Sequence, residues 1–195
     1  FAKKYDVPLA VRSSFTEDPG TLIVQENTNM EETKITGVAL LRDQARVNMF
    51  NVPDTPGVAA KIFRAIAKIN VAVDMIVQAQ NQQGEPDMSF TLSRQDLKKT
   101  EQALKEVVEE IGAGGITFEE GFAKVSVVGI GMRGHPGVAA EVFDALADNN
   151  INIEMISTSE IKISCLVSKE VAEEGVRAIH ARFELGEAPE SEQPA

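Results

Sequence analysis

The sequence predicts an α+β protein made of two βαββαβ sandwiches, each an antiparallel sheet with helices on one face, the first unit inserted in the second. Three observations carry that expectation. Pro56 to Ile76 returns as Pro136 to Ile156, eighty residues on and without a gap, with 11 of the 21 positions identical. Most differences at apolar positions are conservative (Ile62/Val142, Ile66/Leu146, Val71/Ile151, Val73/Ile153) while the polar ones change freely, so both copies bury the same helical stripe. Finally, the second copy lacks a last strand, and an unassigned strand stands ahead of the first copy.

The elements follow in order. Ile35 to Leu41 (ITGVALL) reads as that orphan strand and Arg42-Asp43-Gln44 as a turn. Ala45 to Val52 alternates as a strand, and Pro56-Gly57 opens a helix. Val58, Ile62, Ile66 and Ile69 draw one apolar face down that helix. Asn70 stands at the left-handed cap position, and Asn150 repeats it. Val71 to Gln78 and Met88 to Leu92 read as two strands separated by a polar turn with Gly84 and Pro86. A charged helix runs from about Gln95 to Ile111, and Gly112, Gly114 and Gly115 release a fourth strand, Ile116 to Glu119. This is the two-layer order of ferredoxin-like folds. The second copy runs Lys124 to Ile130, a helix Pro136 to Asn149, strands Ile151 to Thr158 and Lys162 to Val167, and a helix from about Lys169 to Phe183. The orphan strand either completes the second sheet beside Lys124 to Ile130 or adds an edge to the first; the missing strand favours the former. The boundaries expected are 44–120 for the first unit, 34–43 with 121–185 for the second, and 186–195 as a disordered acidic tail.

Composition narrows the function. The 195 residues carry a formal charge of −11, with a pI near 4.7, which opposes nucleic acid and anionic membrane surfaces. An RNA-binding sheet would need exposed aromatics and basic flanks, and the chain has no tryptophan and one tyrosine. No apolar run spans a bilayer and nothing resembles a signal peptide. Cys165 is the one cysteine, in the apolar run KISCLV, which fits a buried inert thiol and a reducing cytoplasm. The chain begins at Phe1 without a methionine, which fits a longer upstream sequence.

Catalytic and metal constellations are not assembled. His135 and His180 are the only histidines, no phosphate-binding loop with Lys-Ser/Thr is present, and no cofactor or metal is expected. The two strand-to-helix turns are what differ between copies: Val52-Pro53-Asp54-Thr55-Pro56-Gly57 against Met132-Arg133-Gly134-His135-Pro136-Gly137. A helix N-terminus supplies amide donors for a carboxylate, and a glycine lets a ligand approach. Asp54 beside those donors could hold an ammonium group, giving both halves of an amino-acid zwitterion site; the alternative is a cap or turn former.

The strings VPDTPGVAAKIFRAI, VDMIVQ, GMRGHPGVAAEVF and NINIEMISTSEIKISCLV resemble the tandem ACT domains of bacterial aspartate kinase. VPLAVRSSFTEDPGTLI, within residues 1–33, resembles the end of that enzyme's catalytic domain and the linker that follows. The glycine-rich nucleotide-binding start of the kinase is not in this sequence, so the resemblance implies a non-catalytic regulatory (beta) subunit or the excised regulatory half of a longer kinase. It implies threonine binding, with lysine as a second candidate effector, for feedback inhibition of aspartate phosphorylation. The partners implied are the catalytic (alpha) subunit and a second copy of the chain, as a homodimer. Transferred residue by residue, the threonine site falls on Asp54, Pro56, Gly57, Val58, Ala59 and Gln78, with Asn152 and Ile153 supplied by a second ACT unit, usually the partner chain's. The lysine positions fall on Met132, His135, Val138, Ala139, Glu154 and Ser159. The repeat supports the first set, because Asp54, Gln78 and Asn152 correspond to Gly134, Thr158 and Ala72 and the fold therefore does not demand their polar groups. A free-standing amino-acid sensor acting on another enzyme is the rival reading.

Overall fold

A computed structural model describes residues 1–5, 7–23, 35–81, 84–129, 132 and 135–186. The tail from 187, the linker at 24–34, and Ile130, Arg133 and Gly134 lie outside them. A short helix α1 (Ala2–Tyr5) precedes a two-stranded hairpin, β1 (Leu9–Val11) with β2 (Thr21–Ile23). The body then runs β3 (Gly37–Phe50), α2 (Val58–Lys68), β4 (Val73–Gln80), β5 (Pro86–Ser93), α3 (Leu97–Ile111), β6 (Gly115–Val128), α4 (Val138–Asp148), β7 (Met155–Thr158), β8 (Lys162–Ser168) and α5 (Ala172–Arg182).

The expected orphan strand and the first strand of the first unit form one 14-residue strand, β3, and the last strand of the first unit runs unbroken into the first strand of the second as β6. The two expected sheets are therefore joined as one antiparallel sheet of six strands, ordered β4-β5-β3-β6-β8-β7. Gly37 to Leu41 pair with Val128 to Lys124, and Ala45 to Phe50 pair with Glu120 to Gly115. Each half thus has the 4-1-3-2 strand order of a ferredoxin-like unit, and the first part of β3, Gly37 to Leu41, completes the second unit. The first unit is inserted in the second.

Arg42-Asp43-Gln44, expected as a turn, is instead a bulge. The register shifts once on each strand, near Asp43 (φ 53°) and Gly121 (φ 96°). An extra residue restores the alternation of faces, so Val38 and Leu40 meet the second core while Ala45, Val47 and Met49 meet the first. The cores mirror each other as the repeat requires. Ile62 and Ile66 of α2 pack with Phe90 and Leu104 in one, and Val142 and Leu146 of α4 with Val125 and Ile179 in the other. Asn70 and Asn150 end their helices at φ 54° and 56°, the left-handed region that asparagine tolerates.

Several boundaries move. The Pro-Gly pairs precede their helices, with Gly57 (φ 100°) and Gly137 (φ 106°) as N-cap residues. The strand expected from Ile151 begins at Met155, because the Ile151 amide donates back to the Leu146 carbonyl at 3.0 Å and keeps the chain in the helix exit. The last helix begins at Ala172. The sheet also curls, so that its two edge strands β4 and β7 touch near their starts. Met75, Met155 and Leu166 fill that curl as a third apolar cluster, with Phe122 against them.

Candidate functional site

The first turn is built by the end of β3. The Val52 amide donates to the Pro86 carbonyl at 2.7 Å, and the Asn51 amide donates to Asp87 Oδ1 at 2.9 Å, which fixes where the strand stops. Thr55 N–H then donates to Pro53 O at 2.9 Å and turns the chain into α2, whose first long bond runs from Lys61 N–H to Gly57 O at 3.0 Å. The Val58 amide donates to Thr55 O at 3.3 Å and no side chain caps α2, so the Ala59 and Ala60 amides of its first turn are left to solvent or to a ligand. Gly57 has a left-handed backbone, and no atom lies within 4 Å of the position a Cβ would take, so the approach to those amides is open. Asp54 is exposed, and its carboxylate has no partner among the described residues. It borders an open cleft of about 470 Å³ that reaches across to Glu85, Pro86, Gly112 and Gly114. Pro56, Gly57 and Ala59 are exposed and Val58 is half-buried.

Gln78 is exposed on the outer edge, in one row with Met88 of β5 and Met49 of β3. Asp54 and Gln78 thus share one end of the first unit. Asn152 is placed elsewhere. It precedes β7, whose first residue Met155 packs with Met75 near the start of β4, and five residues of strand from Val73 to Gln78 span about 16 Å. One chain therefore does not bring Asn152 to Asp54. Ile153 packs half-buried against the second core.

The second set of positions divides. Val138 is buried in the second core, and Met132 and Ala139 pack against it. His135 is half-buried, with its amide donating to the Met132 carbonyl at 3.4 Å. Ser159 closes the β7–β8 connection, its amide donating to the Lys162 carbonyl at 2.7 Å and its hydroxyl to the same oxygen at 3.4 Å. Glu154 faces the first unit: its Oε2 accepts from Arg46 Nη1 at 3.3 Å, and its Oε1 accepts from Asn152 Nδ2 at 3.0 Å.

Sequence reasoning missed the polar seam between the units. Arg46 Nη2 also donates to Glu119 Oε2 at 2.7 Å, and Glu119 Oε1 accepts from Asn48 Nδ2 at 2.6 Å. The guanidinium lies 4.9 Å from the centroid of the Phe122 ring. On the other side of the curl the Lys124 ammonium contacts Asp74. Burial, and then the charge of Lys162, hold the Lys124 pKa below its usual range. One signal could have found this seam: Asp74 and Glu154 stand at equivalent places in the repeat, an acid kept in both copies. Cys165 is buried and desolvation pushes its thiol up to about 11, so it is an inert core residue.

No described helix is long and apolar enough to cross a membrane. The ACT-domain family model matches residues 51–108 and 125–183, one segment in each unit. The aspartate kinase of Pseudomonas fluorescens is 48% identical over 186 residues, covering 95% of this chain and 45% of the relative. The chain thus spans about half the length of that curated relative. A solved structure of aspartokinase alpha and beta subunits is 48% identical, covers 77% of this chain and 99% of its own, and has a TM-score of 0.71. The ligand-free regulatory subunit of aspartate kinase from Thermus thermophilus gives 41%, 77%, 99% and 0.71 in the same order. E. coli aspartokinase III, solved with lysine and aspartate in a T-state, is 27% identical over 93% of this chain and 40% of its own, with a TM-score of 0.70. The chain belongs to the ACT-domain family and corresponds to the tandem-ACT regulatory part of aspartate kinases.

Proposed function

We propose that this chain binds threonine, with lysine as a second effector, and transmits that binding to the catalytic part of aspartate kinase as feedback inhibition of aspartate phosphorylation. The observation that carries the reading is the uncapped helix behind Gly57 with the Asp54 carboxylate, unpartnered among the described residues, beside it, a pairing the second copy lacks because Gly134 replaces the acid. Amide donors suit the ligand carboxylate and Asp54 its ammonium. In this reading residues 1–33 close the catalytic domain and lead into the linker, 44–120 form the first ACT domain, and 34–43 with 121–185 form the second. The β1–β2 ribbon exposes Leu9, Val11, Leu22 and Ile23, which suits a piece of a larger sheet better than a free-standing sensor. An effector acts only through its different affinity for the active and inactive states, and a coupling of about 1 to 3 kcal/mol is typical of such systems.

Calorimetric titration with threonine, lysine, methionine and isoleucine separately tests the specificity. Threonine should bind, and lysine at separate positions; no heat with threonine at millimolar concentration, with methionine or isoleucine bound instead, would refute the assignment.

Because Asn152 stands far from Asp54 within one chain, the site is completed by a second copy. Both sheet edges are open for it: Ile76 and Val77 on β4 and Ile156 on β7 are exposed, and Ile76 and Ile156 are repeat equivalents. Sedimentation should show a homodimer whose dissociation falls as threonine is added. A monomer at high concentration with threonine present would contradict the arrangement.

A further inference from the structure

The seam between the two units is closed by contacts that run crosswise. Glu154, at the entry to β7 of the second unit, reaches Arg46 on β3 within the first unit. Asp74, its repeat equivalent at the entry to β4 of the first unit, reaches Lys124 on β6 within the second. Met75 and Met155, each the next residue and each other's repeat equivalents, meet between the two pairs. The cationic side chains are largely withdrawn from water, Arg46 to 16% and Lys124 to 9% exposure, while their acids remain between 33% and 36% exposed. Arg46 Nε is buried without a hydrogen-bond partner, although its other nitrogens are engaged. An apolar pair would fill this seam without leaving a donor unmet, so the charges serve geometry more than cohesion.

We infer that the crossed pairs Arg46–Glu154 and Lys124–Asp74 form a lock that sets the angle between the two ACT units, and that Asn152, bonded to Glu154, brings the effector contact to that lock. The part played by Asn152 rests on the threonine reading above; the lock itself does not. Arg46 and Lys124 are positioning residues here. A ligand that draws the Asn152 amide away removes one of the donors holding the Glu154 carboxylate. The change is then passed to Arg46, whose second carboxylate, Glu119, is tied through Asn48 to Ser89 on β5. The path therefore runs from the entry of β7 to β5 in the first unit's half of the sheet through direct side-chain hydrogen bonds, and it gives the second unit's contact a physical route to the first unit of the same chain.

Pulsed electron-spin distance measurement tests this on the full chain, with the doubly labelled protein diluted into an excess of unlabelled protein so that only distances within one chain are read. Spin labels at Arg64→Cys and Asp144→Cys sit at equivalent exposed positions on α2 and α4, and the buried Cys165 does not take up label. The reference protein should give one narrow distance distribution without ligand. The double variant Glu154→Gln with Asp74→Asn keeps both side-chain shapes and removes both charges, and it should shift or broaden the distribution while the far-UV circular dichroism stays native. If the double variant does not fold, each single substitution is read the same way. A distribution that does not change in any of these variants overturns the lock. Threonine added to the reference protein should shift the distance, and added to the double variant should bind but shift it no further. An equal threonine shift in both overturns the link from Asn152 to the lock. If threonine binds neither protein, the effector reading fails, and the ligand-free distributions still decide the lock.

Discussion

Leu146→Ala should lower the free energy of unfolding by about 2 to 5 kcal/mol, toward the upper end of the range for buried leucines. Leu146 is fully buried in the second core. Its neighbour across the helix pair is Gly175 of α5, where a Cβ would stand 3.1 Å from Leu146 Cδ2 and 3.5 Å from Ile151 Cδ1. The glycine brings the α5 backbone against α4, so the wall facing Leu146 is backbone, which has no side chain to swing into a void. The cavity left by truncation would stay largely open. Because β3 and β6 run through both units, the loss should lower the stability of the whole sheet instead of melting the second unit alone. Denaturation followed by circular dichroism and by calorimetry should remain a single coincident transition at a lower midpoint. Two separated transitions, with the first unit unaffected, would show that the continuous strands do not couple the cores.

Much of this architecture was legible in the chain because it is written locally and twice. The apolar stripe at Ile62 and Ile66 repeats at Val142 and Leu146, and the asparagines after each helix adopt the left-handed backbone that their position implies. The insertion was legible by subtraction, since the second copy lacks a strand that the segment before the first copy can supply. What was not legible is nonlocal. Arg42-Asp43-Gln44 has the composition of a turn, yet the hydrogen-bonded ladder continues through it, because one added residue on each strand is absorbed as a bulge at Asp43 and at Gly121. The early start expected for β7 failed for a related reason: Ile151 alternates with Ile153 and Met155 as a strand residue would, but its amide is claimed by the preceding helix. The Arg46 and Lys124 contacts join residues 108 and 50 positions apart along the chain, and no local period announces them. Of the candidate site, the turn at Asp54 to Ala59 could be read because its chemistry is contiguous. That Glu154 is turned toward Arg46 could not, since the curl that brings them together is set by the whole sheet.

Asp54→Ala and Asn152→Ala should each weaken threonine binding by about 1 to 3 kcal/mol, the cost of leaving a buried polar partner unmet, which calorimetry would read as roughly a five- to 150-fold rise in Kd. Neither change should disturb folding. Asp54 is exposed and unpartnered among the described residues, Asn152 is exposed with its side chain bonded to Glu154, and the sequence carries Gly134 and Ala72 at the equivalent places. The two variants differ in what they test. Asp54 belongs to the turn itself, so its loss should act at any protein concentration. Asn152 is expected to reach the turn from a second copy, so its effect should appear together with weaker ligand-driven dimerisation. His135→Ala and Ser159→Ala serve as the contrast: both lie in the second unit, the first in its strand-to-helix turn and the second in the β7–β8 connection. They should spare threonine and change lysine binding wherever lysine binds. Threonine affinity that ignores Asp54 and Asn152 but falls with His135→Ala would move the site to the second unit's turn, where no carboxylate stands at the position of Asp54 and the ammonium group would need a different partner.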